Sequence, residues 1–437
     1  MNSFAPRRYV FFIDRIEDSS YPVSETGYAL VHRAWLRAQA DGGEVYVVYP
    51  DAELHARSVR GRGQGELRVR AQRIESFHTT PYQHYRSQRE AYRPQEHVGS
   101  RRCHREAPPR ELLLRTADAV IWRQETGTPE RMRETLQLLE TIEPQTELYL
   151  SPRLALDPRF GSKLLPSLID PRFIPRSFYT HSLSHATPDD KAVAALAFVR
   201  DALGDPETAV VKPLDTNNGI GITLLGHDPR SAGLGRLAKY GMGKRAKHDR
   251  YTLSRMLEQF GDLVVQEYIP SIRAPFDPQL TPLASVPVDR RDFGEVRFLV
   301  IDGELPVTRS GAPCLFARRV PAPDSLVADS GVSHGTELST REQAFVRHVG
   351  QQYLRWGIYF GGGDLIRTPD PERPFVFTDA ARSVCGHAVV TGALNGEPYM
   401  IVDQILDSIE RRVLERAGAR LATRPAALHP ADPLGGR

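Results

Sequence analysis

An apolar, aromatic-rich run at residues 9–13 is followed by apolar positions at helical spacing over 27–40 and by a second apolar run at 45–49. A strand, a helix and a strand in that order make a crossover, which sets its two strands parallel in one sheet. Strand character returns at 117–122, helical spacing at 130–141 and strand character at 147–150, so the opening of the chain predicts an alternating α/β domain over residues 1–148. From about 52 to 110 the chain is polar and arginine-rich, and this stretch reads as a long basic excursion rather than core.

At about 150 residues per domain, a chain of 437 residues has room for further domains. After residue 148 the sequence predicts a short helix around Lys163, a proline-flanked strand at 177–180 and an amphipathic helix at 189–203 opened by Thr187 and Pro188. Strand signals then recur at 209–211, 220–225, 263–267, 296–301, 359–366 and 374–378, and a long helix is expected at 399–416. Residues 417–437, rich in Ala, Pro, Gly and Arg without apolar periodicity, are expected to be a disordered tail.

The three cysteines, Cys103, Cys314 and Cys385, are widely separated and form no Cys-x-x-Cys pair, which fits a reducing compartment and gives no zinc or dithiol motif. The run at 9–13 is too short for a signal core and nothing later approaches a membrane span, so a cytoplasmic protein with no membrane partner is expected. The formal charge is +3, with arginine clusters at 57–73, 86–110 and 236–250. Such clusters can meet phosphate-bearing partners, and Tyr82, Tyr85 and Tyr92 keep that alternative open. Solvated loops account for them more simply, because no nucleic-acid motif accompanies them, and nucleic acid is not the expected partner.

Four segments carry chemistry. The run AVVKPLDTNNGIGI at 209–222 is a strand bearing Lys212, then a turn around Asn218 and Gly219 whose backbone N–H groups can face phosphate oxygens, then another strand. Taken alone it also fits a plain hairpin with an exposed lysine. The run LVVQEYIP at 263–270 is a strand ending at a proline, and its exit can present backbone groups to an adenine edge. EVRFLVIDGE at 295–304 is a hairpin with an Asp302-Gly303 turn, and its Arg297 faces either solvent or the cleft of Lys212. GGGDLI at 361–366 and FVFTD at 375–379 are joined by a short turn. Adjacent strands would bring Asp364 and Asp379 together, as a pair suited to a magnesium–triphosphate or as two loop caps.

The order of these features resembles the ATP-grasp superfamily, and specifically the bacterial glutathione synthetases, over most of the chain. The resemblance implies an α/β (α+β) architecture: an ATP-grasp fold preceded by an alternating pre-ATP-grasp domain. A lid and first nucleotide-binding half would occupy 149–268 and a second half with the metal site 269–416. It further implies ATP and Mg2+ as cofactors, with Lys163 and Lys212 on the triphosphate beside Asn218 and Gly219, and Gln266, Glu267, Tyr268 and Ile269 at the adenine. Glu295 would sit near the ribose, Arg297 and Arg318 or Arg319 (in FARRVP, 316–321) on the phosphate side, Arg123 on the substrate side, and Asp364 and Asp379 on the metal. The implied activity is an ADP-forming ligase that joins a small carboxylate to an amine through an acyl phosphate, with dimers or tetramers common among related ligases.

The match fails where the family carries Glu-x-Asn and this chain has Asp379-Ala380-Ala381. The substrate loop at 382–387 and an insertion at 277–291 also differ. These departures favour substrates other than those of glutathione synthesis, with a true glutathione synthetase and a nucleotide-binding scaffold without turnover as the alternatives. His104, His334, His387 and Cys385 receive no role.

Overall fold

The computed structural model describes residues 7–15, 23–52, 54–57, 66–83, 103–123, 129–141, 147–149, 157, 163–203, 209–214, 222–225, 249–267, 269, 294–319, 333–368, 370–381 and 388–423. The chain divides into two units, Met1–Pro152 with Val402–Arg437, and Arg153–Ile401.

In the first unit, β1 (Arg8–Ile13) is buried from Tyr9 to Ile13 because it has parallel neighbours on both sides. These are β2 (Glu44–Val48), reached through α1 (Val23–Asp41), and β7 (Ala119–Arg123). β8 (Glu147–Tyr149), reached through α2 (Pro129–Glu140), adds a further parallel strand. The alternating reading of the sequence holds.

The basic excursion is a correction. Glu66–Phe77 is a twelve-residue strand, β4, whose Leu67, Val69, Ala71 and Ile74 are buried while Arg70 and Arg73 are exposed. It pairs with β2, with β3 (Leu54–Arg57), β5 (His104–Glu106) and β6 (Arg110–Leu113), so this part of the excursion is sheet, with Arg70, Arg73, Arg105 and Arg110 exposed. Several of those arginines are already paired: Arg68 with Glu66 and Glu111, Arg105 with Glu75, and Arg110 with Glu44, which also takes Arg8 of β1.

His104 also has partners. Its Nε2 lies 2.6 Å from Glu106 Oε1, which also accepts from the Tyr49 hydroxyl, and its Nδ1 lies 3.6 Å from Cys103 Sγ. Burial pushes the Cys103 thiol up to about 12 and that of Cys314 up to about 11, so both are inert small apolar groups.

The last helix, α7 (Met400–Thr423), runs seven residues past its expected end at 416, and from Val402 it belongs to the first unit rather than to a second half ending at 416. Charged pairs tie it to the amino-terminal elements: an Arg33 fork on Asp403 at 2.7 and 2.9 Å, Arg37 on Asp407 at 2.8 Å, and Arg7 and the Tyr9 hydroxyl on Glu410 at 2.6 and 2.9 Å. Residues 424–437 of the expected tail lie outside the described residues. Among the described residues no helix is long and apolar enough to cross a membrane.

Among the described residues the second unit holds two antiparallel sheets. One is ordered β11 (Thr223–Leu225), β10 (Ala209–Pro213), β12 (Leu263–Glu267), β9 (Ser177–Tyr179). Its Ala209, Val211, Leu263 and Val265 share a core with α3 (Pro188–Ala202) and α4 (Asp249–Phe260). Thr187 and Asp190 form the capping box that starts α3.

The other sheet is ordered β15 (Ser333–Thr336), β14 (Phe316–Arg319), β13 (Gly294–Ile301), β16 (Phe360–Arg367), β17 (Phe375–Ala381). Its Phe375 and Phe377 pack with Phe345 of α5 (Thr340–Arg355), and Phe298 packs with Phe377. A Cβ on Gly363 would lie 2.3 Å from the Phe377 ring and 2.7 Å from the Asp379 carbonyl oxygen. The glycine run therefore lets β17 and its aromatic rings close on β16. Gly363→Ala is expected to destabilise the protein by about 2–3 kcal/mol through overpacking. Gly418→Ala on α7, where a Cβ meets nothing within 4 Å, is expected to be neutral or slightly stabilising. Denaturant midpoints of the two variants check this.

Candidate functional site

Strand pairing decides which side chains share a face, because residues directly opposite one another project to the same side. Arg297 on β13 is paired with Asp364 on β16, and Asp364 with Asp379 on β17, so the three form a row across one face. A bulge between Asp364 and Leu365 leaves Thr378 as the extra residue and restores the alternation beyond it. The opposite face carries Val296 and Phe298.

The row is charged and largely dry. Arg297 clasps Asp364 with a two-pronged guanidinium, Nε donating to Oδ1 at 2.5 Å and Nη2 to Oδ2, and Nη2 also lies 3.4 Å from Glu295 Oε1. Asp364 is 4% exposed.

On the first sheet of the unit, Lys212 is paired with Val264, and Val210 with Gln266, on the face away from the core of α3 and α4. Lys163 stands in a turn just ahead of the short 3-10 helix Leu165–Leu168. The nitrogens of Lys163 and Lys212 each lie 3.8 Å from Asp379 Oδ1. Burial alone would raise the Asp379 pKa, but the charges of Lys163, Lys212 and Arg297 outweigh it and hold the carboxyl below its ordinary range. The two sheets thus bring Lys163, Lys212, Glu295, Arg297, Asp364 and Asp379 together.

Arg318 is not part of this row. It is paired with Val296, one residue out of step with Arg297, so it lies on the other face; the position opposite Glu295 is Arg319. Consecutive arginines in a strand project to opposite sides, and the motif alone does not say which is which. Arg297→Ala is expected to lower nucleotide affinity severalfold and to strand a buried Asp364. Arg318→Ala should leave that affinity within about twofold, as for a charge remote from the ligand. Calorimetric titration of both variants with an ATP analogue separates them.

Gln266 is buried and Ile269 packs on Ile366 and Val376. Glu267 accepts from Arg373 Nη1 at 2.9 Å and from the Arg176 backbone N–H at 3.1 Å; burial would raise its pKa, and these partners bring it below its ordinary range. Asn218, Gly219 and Tyr268 lie outside the described residues. Arg123 belongs to the first unit, 5% exposed at the carboxyl end of β7, the end of a parallel sheet at which ligands ordinarily bind.

The sequence reading missed Tyr179. It is paired with Val264, which is paired with Lys212, and burial raises its pKa, with a contribution from the Asp379 charge. Its signal is the proline-flanked strand predicted at 177–180, which the structure shows as β9 and pairs with β12.

The carboxylates partly fit magnesium. Among the described residues Asp379 Oδ1 is buried and accepts no hydrogen bond, the two lysine nitrogens standing 3.8 Å away, which suits a cation ligand. Both oxygens of Asp364 are engaged by Arg297, and Ala381, on the same face as Asp379, offers no donor. Among the described residues no group of three or more His, Cys, Asp or Glu can hold a metal. Phosphate oxygens and water would have to complete the shell.

No family model matches the chain. A glutathione synthetase from Agrobacterium fabrum is 24% identical over 269 residues, 59% of this chain and 63% of the relative, so the match spans under two thirds of that protein. Two solved structures superpose over nearly the full length. The D-cycloserine synthetase DcsG gives a TM-score of 0.52 at 12% identity, covering 93% of this chain and 99% of the other. D-alanyl-alanine synthetase A from Vibrio cholerae O1 gives 0.51 at 9% identity, covering 94% and 99%. The chain has the ATP-grasp fold.

Proposed function

We propose that this chain is an ATP-dependent ligase that joins a carboxylate to an amine on small amino-acid-like or peptide substrates, releasing ADP and phosphate. The observation that carries the reading is the convergence of Lys163 and Lys212 on Asp379, beside the Arg297–Asp364 pair, within an ATP-grasp fold. Three cations gathered around the buried Asp364 and the half-buried Asp379 suit a polyphosphate, whose transfer depends on positioning and charge neutralisation more than on a protein nucleophile.

In the first step a substrate carboxylate oxygen attacks the γ-phosphorus of ATP, and the bond to the β,γ-bridging oxygen breaks as ADP leaves. In the second an amine nitrogen attacks the acyl carbon. The tetrahedral intermediate expels phosphate and the nitrogen's surplus proton passes to solvent. Lys163, Lys212 and Arg297 would hold the phosphate oxygens, with the backbone of Asn218 and Gly219 beside them. Gln266 to Ile269 would hold the adenine and Glu295 the ribose, and Arg123 would receive the substrate carboxylate. Asp379 and Asp364 would hold magnesium, which when bound neutralises charge on the phosphates. A cytoplasmic setting and a homo-oligomer belong to the same proposal, and sedimentation of the purified chain tests the second.

Ala381 favours a second reading, a scaffold that binds nucleotide without turnover. An ADP-release screen over carboxylates and amines, with product masses measured, decides between them. Release that requires both partners supports the ligase, and nucleotide binding without release across the panel supports the scaffold. Release confined to γ-glutamylcysteine with glycine would make the chain a true glutathione synthetase.

A further inference from the structure

Arg373 lies in the turn between β16 and β17, more than 100 residues in sequence from the groups it touches. Its Nη1 donates to Glu267 Oε2 at 2.9 Å and its Nη2 donates to the carbonyl oxygen of Ile174, while its Nε is buried without a hydrogen-bond partner among the described residues. The same Glu267 oxygen accepts from the backbone N–H of Arg176. One guanidinium therefore grips both the last residue of β12 and the segment leading into β9, which belong to the opposite sheet of the unit.

The turn that carries Arg373 is itself held. Thr368 Oγ1 donates to the Arg373 carbonyl oxygen, the Glu372 N–H donates to Asp370 Oδ1 at 2.9 Å, and Arg341 of α5 donates to the carbonyl oxygens of Pro371 and Glu372 at 3.3 and 3.2 Å. Two residues past Glu267, Ile269 is buried against Ile366 and Val376, which flank the same turn on β16 and β17. The exit of β12 is thus pinned twice, by a charge-assisted fork and by an apolar contact.

We infer that Arg373 is a positioning residue for nucleotide binding, fixing the β12 exit through Glu267 so that the backbone at Gln266, Glu267 and Ile269 meets the purine ring in one arrangement. This rests on the nucleotide reading proposed above. Arg373 need not touch the nucleotide: the fork spares the exit segment the ordering that binding would otherwise demand.

The test is calorimetric titration of the full chain with the magnesium complexes of non-hydrolysable ATP and GTP analogues, at a temperature well below each variant's melting midpoint. Arg373→Met is expected to weaken ATP-analogue binding by about tenfold or more, the scale of one lost charge-assisted hydrogen bond. It is also expected to narrow the preference for the adenine analogue over the guanine one. Arg373→Lys should recover part of both effects, and Glu267→Gln should reproduce the loss if Arg373→Met does not fold. A lowered melting midpoint with unchanged affinity and unchanged purine preference would overturn the proposal while leaving the nucleotide reading intact. A wild-type chain that binds neither analogue would overturn both.

Discussion

Lys212→Ala is expected to weaken ATP binding by roughly 30- to 150-fold, equivalent to about 2–3 kcal/mol for a charged hydrogen bond in a dry site. The ammonium is mostly buried, 11% of its side chain exposed, so water cannot take its place at the phosphates as it would at a surface lysine. Its strand is held in register with β12 over five paired residues, so truncating the side chain should leave the sheet intact. Nucleotide titration and ADP release measured on the same preparation give the result. Wild-type affinity in the variant would remove Lys212 from the site, and with it the observation on which the ligase reading stands.

Asp379→Asn should separate the carboxylate's two relations, to the lysines and to the metal. Without nucleotide, Lys163 and Lys212 lose the charge between them, and a cost of about 2 kcal/mol is expected, below the figure for a fully buried pair because a third of the side chain is exposed. Metal-free ATP should bind the variant at least as well as wild type, since one negative charge facing the phosphates is gone. Magnesium should then strengthen binding in wild type alone. An equal magnesium effect in both proteins would show that Asp379 is not a ligand.

Acid gives an independent reading of the same residue. The folded pKa of Asp379 lies below the unfolded value of about 3.9, so its pairing stabilises the fold fully above that value. The contribution fades as the pH falls through the folded pKa, and the Asn variant should lack that part of the acid unfolding curve.

Much of this site could be seen in the sequence because it is strand-borne. Lys212, Arg297, Asp364 and Asp379 each sit in a short apolar run, which predicts a strand, and within a strand successive residues project to opposite faces. What the sequence could not give was the pairing partner. Arg318 and Arg319 are equivalent in the motif, and only the register of β14 against β13 puts Arg318 with Val296. Arg373 was invisible for a related reason: it lies in a turn, where no period constrains it, and its partners are remote in sequence.

The excursion at 52–110 failed differently. Its period-two pattern, Leu67, Val69 and Ala71 between arginines, was present but outweighed by charge, although a strand with one wet face is expected to be half polar. His104 was set aside for want of a partner at a familiar spacing, and Glu106 stands two residues away on the same strand.

The discontinuity of the first unit sets an order of events during synthesis. Its sheet and α1 emerge from the ribosome early, yet Asp403, Asp407 and Glu410, which neutralise Arg33, Arg37 and Arg7, follow only after the roughly 250 residues of the second unit. At about 5–20 residues per second that is a wait of about 12–50 s. Throughout it the inserted unit can finish folding, whereas the amino-terminal unit stands without the carboxylates that Asp403, Asp407 and Glu410 bring to Arg33, Arg37 and Arg7. Nascent chains halted before residue 402 should therefore engage holdase chaperones through the amino-terminal unit, and release should follow the arrival of α7.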